Sequence, residues 1–193
     1  RRDFGTDMKI SILTAFPDLM RNYLSASVLG RGIASGKLDA EVLDIRDYAQ
    51  GDYRQIDDYC YGSGGMVLMP EPLGKALESL SQGVKPYVVY PSPQGTRLHQ
   101  ELVEDLARKE HLVILCGHYE GVDERFTQKC VDLEVSLGDF VLTGGEMPAM
   151  AIVDSVSRLI PGVVGKSTAV QDDSFYSGML DTPHYTRPAE WDG

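Results

Sequence analysis

Met8-Lys-Ile-Ser-Ile-Leu-Thr14 alternates apolar and polar positions and is rich in β-branched residues, which predicts a first strand. Pro17 then opens a helix toward Leu24, because proline in the first helical turn sacrifices no hydrogen bond. A second helix is expected from about Ser25 to Ala34, stopped by Gly36, and alternation returns in a strand over Asp39–Arg46. Asp47 to Gly65 is polar, rich in Tyr, Asp and Gly, and has no period; a loop of that length usually serves function or motion. Beyond it, Leu73, Ala76, Leu77 and Leu80 mark a helix stripe, Pro86–Tyr90 a strand, Leu102, Val103 and Leu106 another stripe, and His111–Cys116 a strand. A short helix over Asp123–Lys129, strands at Asp132–Val135 and Phe140–Thr143, and a helix over Glu146–Ile160 complete the series. Strands alternating with helices predict an α/β domain built on a parallel sheet flanked by helices. After Gly162 no period persists, so Gly165–Gly193 is expected to be extended and poorly self-packed.

The chain has 193 residues, 42% of them apolar and 24% charged, enough for one domain with a substantial core. Its strongest apolar run, Leu112-Val-Ile-Leu-Cys116, is the length of a buried strand and far short of the roughly 18 residues of a membrane helix, so no membrane partner is expected. Arg1–Asp7 is polar and lacks the apolar core of a signal peptide; it reads as an extension ahead of a native start at Met8. Cys60, Cys116 and Cys130 are odd in number and lack CxxC spacing, which suits a reduced, cytoplasmic protein. His99, His111, His118 and His184 are scattered without metal-ligand spacing, so no metal ligands are assigned. The formal net charge of −11 argues, taken alone, against a nucleic-acid partner.

Candidate chemistry sits where loops leave strands. Pro91-Ser-Pro-Gln-Gly95, Gly117-His-Tyr-Glu-Gly121, and Gly138 with Thr143-Gly-Gly-Glu146 each follow a predicted strand. Singly, such glycines usually just make tight turns; three in register favour one nucleotide-sized pocket built from backbone groups. None fits GxGxxG or GxxxxGK[ST], so phosphate cradling is not indicated. Asp154 and Arg158, four apart, read either as a helix-surface ion pair or as an arginine directed into the pocket to meet developing negative charge. Asp172 and Asp173 before Ser174 read as a turn or cap, or as a general base delivered on a loose segment. Glu120 reads as a solvated loop acid, or as the countercharge to a cationic cofactor.

Gly117-His-Tyr-Glu-Gly-Val-Asp-Glu-Arg125, Ser136-Leu-Gly-Asp-Phe-Val-Leu-Thr-Gly-Gly-Glu-Met-Pro-Ala149, Asp154-Ser-Val-Ser-Arg-Leu-Ile-Pro-Gly162, Asp173-Ser-Phe175 and Pro183-His-Tyr-Thr-Arg-Pro188 follow one another in a specific order. With Phe16-Pro17 and Pro91–Gly95, this series resembles the bacterial tRNA (guanine-N(1))-methyltransferases of the TrmD type, from Met8 to the end of the chain. The resemblance implies a SPOUT methyltransferase: a parallel α/β sheet with a C-terminal deep trefoil knot, working as a homodimer. It implies S-adenosyl-L-methionine as cofactor, magnesium assistance, and tRNA as substrate, methylated on N1 of the guanosine immediately 3′ of the anticodon to maintain the reading frame.

By resemblance, the cofactor is held by Tyr90, Ser92, Pro93, Gly117, Tyr119, Glu120, Ser136, Leu137, Gly138, Asp139, Phe140, Val141, Leu142, Gly144, Gly145 and Pro148. Asp173 falls on the general base and Arg158 on the charge-stabilising arginine. Residues 8–162 are then the knotted catalytic domain and 163–193 an extended segment carrying Asp173, while the family's C-terminal helical tRNA-binding domain is absent, which reconciles the acidic charge with an RNA substrate. The loop Tyr61-Gly-Ser-Gly-Gly-Met66 departs from the family pattern by one residue. A non-enzymatic nucleotide-binding module is the rival reading, and a nicotinamide-dependent oxidoreductase is disfavoured by the missing GxGxxG.

Overall fold

In the computed structural model the elements follow in the order β1 (Lys9–Thr14), α1 (Pro17–Leu24), α2 (Ser27–Ala34), β2 (Asp39–Asp44), β3 (Asp57–Tyr59), β4 (Met66–Leu68), α3 (Pro70–Leu80), β5 (Tyr87–Arg97), α4 (Gln100–Leu106), β6 (His111–Leu115), α5 (Glu124–Cys130), β7 (Leu133–Ser136) and α6 (Glu146–Ser157). The described residues are 8–62, 64–81, 83–164, 174–175, 180 and 182–192. Five strands pair in parallel in the order β2-β1-β6-β5-β7, and β3 and β4 form a separate antiparallel hairpin.

The parallel sheet follows from burial on both faces. All five residues of β6 are buried, and Leu112 to Leu115 alternate between two clusters. Leu112 and Ile114 join Ile10, Ile12 and Val89 beneath Met20 of α1, Leu29 of α2, Val103 of α4 and Ile152 and Val156 of α6. Val113 and Leu115 join Leu13 and Val88 against Leu73 and Ala76 of α3 and Phe126 of α5. A strand covered on both sides has no polar face, which is why β6 reads as a continuous apolar run. Among the described residues no helix is long and apolar enough to cross a membrane.

The expected strand over Phe140–Thr143 is a loop. Its composition suits a strand, but Phe140, Val141 and Leu142 are exposed at 55, 83 and 42% and line a cavity instead of joining a ladder. The aperiodic stretch 47–65 is not structureless either: a 3-10 turn over Ile45–Tyr48 opens it and β3 lies within it. β2 stops at Asp44 because its carboxylate accepts the Arg46 N–H at 2.9 Å and starts that turn. β5 runs past Tyr90 to Arg97, with both Pro91 and Thr96 registering on Val135, so residues 92–95 bulge outward between them.

A polar cluster lies near the amino ends of the central strands. Buried Ser11 donates to Glu41 Oε1 at 2.8 Å, which leaves His111 Nε2–H as the donor to Ser11 Oγ at 2.8 Å, and Lys9 Nζ meets Glu41 at 2.7 Å. Burial, reinforced by the Lys9 charge and opposed by Glu41 and Asp39, holds His111 below its ordinary 6.5. At Glu41 desolvation pushes the pKa up, but hydrogen bonds from Lys9 and Ser11 with the Lys9 and His111 charges outweigh it, so the carboxyl sits below 4.5. Groups with depressed native pKa values contribute fully above their unfolded values, and that contribution is lost as pH falls through the native ones. The urea midpoint is therefore expected to be level between about pH 7 and pH 8 and to decline from about pH 6.5 downward, with His111→Gln flattening the first part of the decline. An identical curve for the variant would show that His111 does not cause it.

Candidate active site

Ligands of open parallel sheets bind beyond the carboxyl ends of the strands. Here the carboxyl-end loops of β6 and β7, together with the outward bulge within β5, enclose one cavity of about 270 Å³. Pro91 to Pro93 supply one wall, Gly117 to Gly121 a second, and Ser136 to Gly145 with Pro148 the rest, Asp139 excepted. The lining mixes apolar side chains (Pro91, Leu137, Val141, Leu142) with backbone polar groups, as an aromatic nucleobase requires. Exposed Glu120 supplies a carboxylate on the wall.

The structure thus gathers Tyr90, Ser92, Pro93, Gly117, Tyr119, Glu120, Ser136, Leu137, Gly138, Phe140, Val141, Leu142, Gly144, Gly145 and Pro148 around one space. Asp139 stands apart from them: its side chain is 92% exposed, does not line the cavity, and pairs with Arg97 at 2.9 Å. Arg158 does not reach the cavity within the chain. It lies beyond the other end of α6, beside a second depression lined by Tyr23, Ser27, Leu29, Asp154 and Val163. At 1.5 Å per residue, the helix separates it from Glu146 by roughly 18 Å. The Asp154 carboxylate accepts from Tyr23 Oη at 3.0 Å, and burial followed by this bond pushes the Tyr23 pKa up to about 12. Asp173 lies outside the described residues.

The β3–β4 hairpin buttresses the second loop. Glu120 N donates to Met66 O at 3.0 Å, Leu68 N to Gly121 O at 2.9 Å and Asp123 N to Leu68 O at 3.0 Å. β4 therefore holds the backbone that presents Glu120.

Sequence reasoning passed over His118 and Glu146 as interacting groups. His118 lines the cavity, and its Nε2 meets Glu146 Oε2 at 2.6 Å. Thr14 Oγ1 donates to the other Glu146 oxygen at 2.6 Å while accepting the Phe16 N–H at 2.9 Å. Cys116, beneath this chain of bonds, is fully buried; desolvation and the Glu146 charge push its thiol well above the ordinary range, so it is an inert core residue. The signal was present, since His118 sits inside Gly117–Gly121 and Glu146 closes Thr143-Gly-Gly-Glu146.

Among the described residues no group of three or more His, Cys, Asp or Glu side chains converges as a metal site. Both oxygens of Glu146 are engaged and Glu120 stands apart on the wall, so these residues do not fit a magnesium ion held by protein alone.

Fold and cavity define an α/β protein with a nucleotide-sized cavity among glycine-bearing loops at the carboxyl edge of its sheet. The tRNA (Guanine-1)-methyltransferase TrmD family matches residues 8–193, and the chain belongs to it. It is 54% identical over 185 residues to the tRNA (guanine-N(1)-)-methyltransferase of Magnetococcus marinus, covering 95% of this chain and 73% of that one. It is 49% identical over 187 residues to the protein of the same name from Brevibacillus brevis, covering 96% and 77%. The crystal structure of a tRNA (m1G37) methyltransferase from Aquifex aeolicus matches with a TM-score of 0.80 at 39% identity, over 96% of this chain and 78% of that one.

Gly145 sets the closure of the cavity. Its N–H donates to Gly117 O at 2.8 Å, and a Cβ there would stand 2.6 Å from Gly117 N and 2.7 Å from Cys116 Cα, both backbone atoms that cannot swing aside. Gly145→Ala is expected to destabilise by about 1–3 kcal/mol through overpacking. Gly74→Ala, inside α3 with no atom within 4 Å of the added methyl, is expected instead to stabilise by roughly 0.5–1 kcal/mol. Urea unfolding of both variants checks the contrast, and equal effects would refute it.

Proposed function

We propose that this chain transfers the methyl group of S-adenosylmethionine to N1 of the guanosine immediately 3′ of the anticodon in tRNA. The observation that carries this reading is the meeting of the family's separate motif blocks, Tyr90–Pro93, Gly117–Gly121 and Ser136–Pro148, around one cavity. When bound there, S-adenosylmethionine supplies an electrophilic sulfonium methyl. Glu120 offers the cationic cofactor a countercharge, and the apolar roof from Phe140 to Leu142 excludes water from it.

The nucleophile explains the remaining groups. N1 of guanine carries a proton and its lone pair is delocalised, so a base must take that proton; we assign it to the Asp173 carboxylate. Negative charge then grows on O6, where the Arg158 guanidinium meets it and distinguishes guanine from adenine. The target base must leave the stack of the anticodon loop for its ring nitrogen to be reached.

The span of α6 makes a homodimer part of this mechanism. Phe16, Leu19, Val141 and Met147 are large apolar side chains exposed along α1, the amino end of α6 and the roof loop. Large exposed apolar side chains brought together on one face mark an interaction surface. α1 and α6 pack side by side, tied by Tyr23 Oη to Met150 O and Asp154. Two copies packed antiparallel along this face would set each Arg158 end against the other's cavity, so the arginine and the 163–193 segment serve the partner's site. The return of the chain after β7 to Gly117 supports the deep trefoil knot. Free thiols at Cys60, Cys116 and Cys130 suit a cytoplasmic setting.

Calorimetric titration is expected to show binding of S-adenosylhomocysteine and none of NAD; no binding by the folded protein would favour a module without this site. Asp173→Asn is expected to lower methyl transfer by about 10²–10⁴-fold, with S-adenosylhomocysteine affinity held within a few-fold. Mixed dimers of Arg158→Ala and Gly145→Val chains are expected to regain activity that neither variant has alone. Absence of that complementation would place Arg158 in its own chain's chemistry.

A further inference from the structure

We propose that Glu146 is a positioning residue of the methyl-transfer site: its buried carboxylate fixes the His118 ring and, through it, the Gly117–Gly121 wall of the cavity. This rests on the reading of that cavity as the S-adenosylmethionine site. Glu146 is only 4% exposed although it opens α6, and a carboxylate withdrawn from water is tolerated only where donors replace the lost hydration. It has two at 2.6 Å, Thr14 Oγ1 and His118 Nε2, and they come from different places in the fold. Thr14 ends β1, and its hydroxyl is itself oriented by the Phe16 N–H at 2.9 Å, which directs the hydroxyl hydrogen toward Glu146. Glu146 therefore receives a fixed bond on one oxygen and uses the other to hold the histidine.

The His118 ring is confined on its remaining sides. Phe16 lies against it with 4.6 Å between ring centroids, and at Gly144 a Cβ would stand 2.4 Å from His118 Cε1. Its side chain is 17% exposed, on the cavity side, and the next two residues are Tyr119 and Glu120 of the same wall. Pinning Nε2 to a carboxylate fixes the ring plane and makes Nε2 the protonated nitrogen, so the wall is presented in one conformation before any ligand arrives. The two bonds to Glu146 join the end of β1, the loop after β6 and the start of α6, the three segments that must agree in position for the cavity to keep its shape.

Glu146→Gln tests this with least disturbance: the amide oxygen still accepts from Thr14, but the amide nitrogen donates where the carboxylate accepted, so the His118 tautomer must reverse or the bond must break. By calorimetry, S-adenosylhomocysteine affinity is expected to fall on the order of tenfold. In a His118→Ala background the same substitution is expected to change affinity by less than about twofold, because its effect runs through the ring. Thr14→Val, which leaves the carboxylate in place with one donor fewer, is expected to give a smaller loss that also disappears without His118. Nitrogen NMR of the imidazoles is expected to show the tautomer of His118 alone altered by Glu146→Gln. Wild-type affinity in Glu146→Gln, or an equal loss with and without His118, would overturn the proposal. If the unmodified protein fails to bind S-adenosylhomocysteine, the functional reading itself falls and this inference with it.

Discussion

Backbone meets backbone where Gly145 closes on Cys116 and Gly117, and the site depends on that contact. The N–H of Gly145 is spent on Gly117 O, so the chain leaving β7 must return to the carboxyl end of β6 before α6 begins. Three consequences follow from that one tether. Residues 137–144 are stretched over the cavity as its roof. α6 starts in the right place to bury Ala149, Ile152, Val153 and Val156 against the sheet. Its first residue, Glu146, is brought within reach of Thr14 and His118. Each of the three fails if the close approach is lost, which is why two glycines stand together there.

How much of this was legible in the sequence depended on whether a pattern reports burial or direction. The central strands were readable because burial on both faces leaves a nearly unbroken apolar run in β6, while β1 carries β-branched residues in alternation with polar ones. Phe140–Thr143 was misread for the same reason: strand propensity describes a residue that suits a pleated, half-covered surface, and a cavity roof selects similar side chains without offering a neighbouring strand. Directions were less visible than positions. The motif containing Asp139 lies at the cavity, yet Asp139 itself turns outward to Arg97. His118 was hidden by the converse effect, since nothing in the order of residues shows that its partner would be Glu146, 28 positions later. Arg158 required knowledge of where α6 ends relative to where it begins, which spacing along a helix does not relate to a pocket elsewhere.

The formal charge of −11 seemed to speak against an RNA substrate, but net charge describes a whole surface and recognition is local. The acids have particular places. β2 is one edge of the sheet and carries Asp39, Glu41 and Asp44; β7 is the other and carries Glu134, preceded by Asp132. An edge strand offers unused backbone donors and acceptors to any neighbouring chain. Two molecules meeting edge to edge would bring like charges of these acidic strands toward one another. Acidic residues at the ends of the ladder disfavour the joining of sheets from separate molecules into a continuous one, which leaves helices and loops as the better surfaces for contact between copies of this chain.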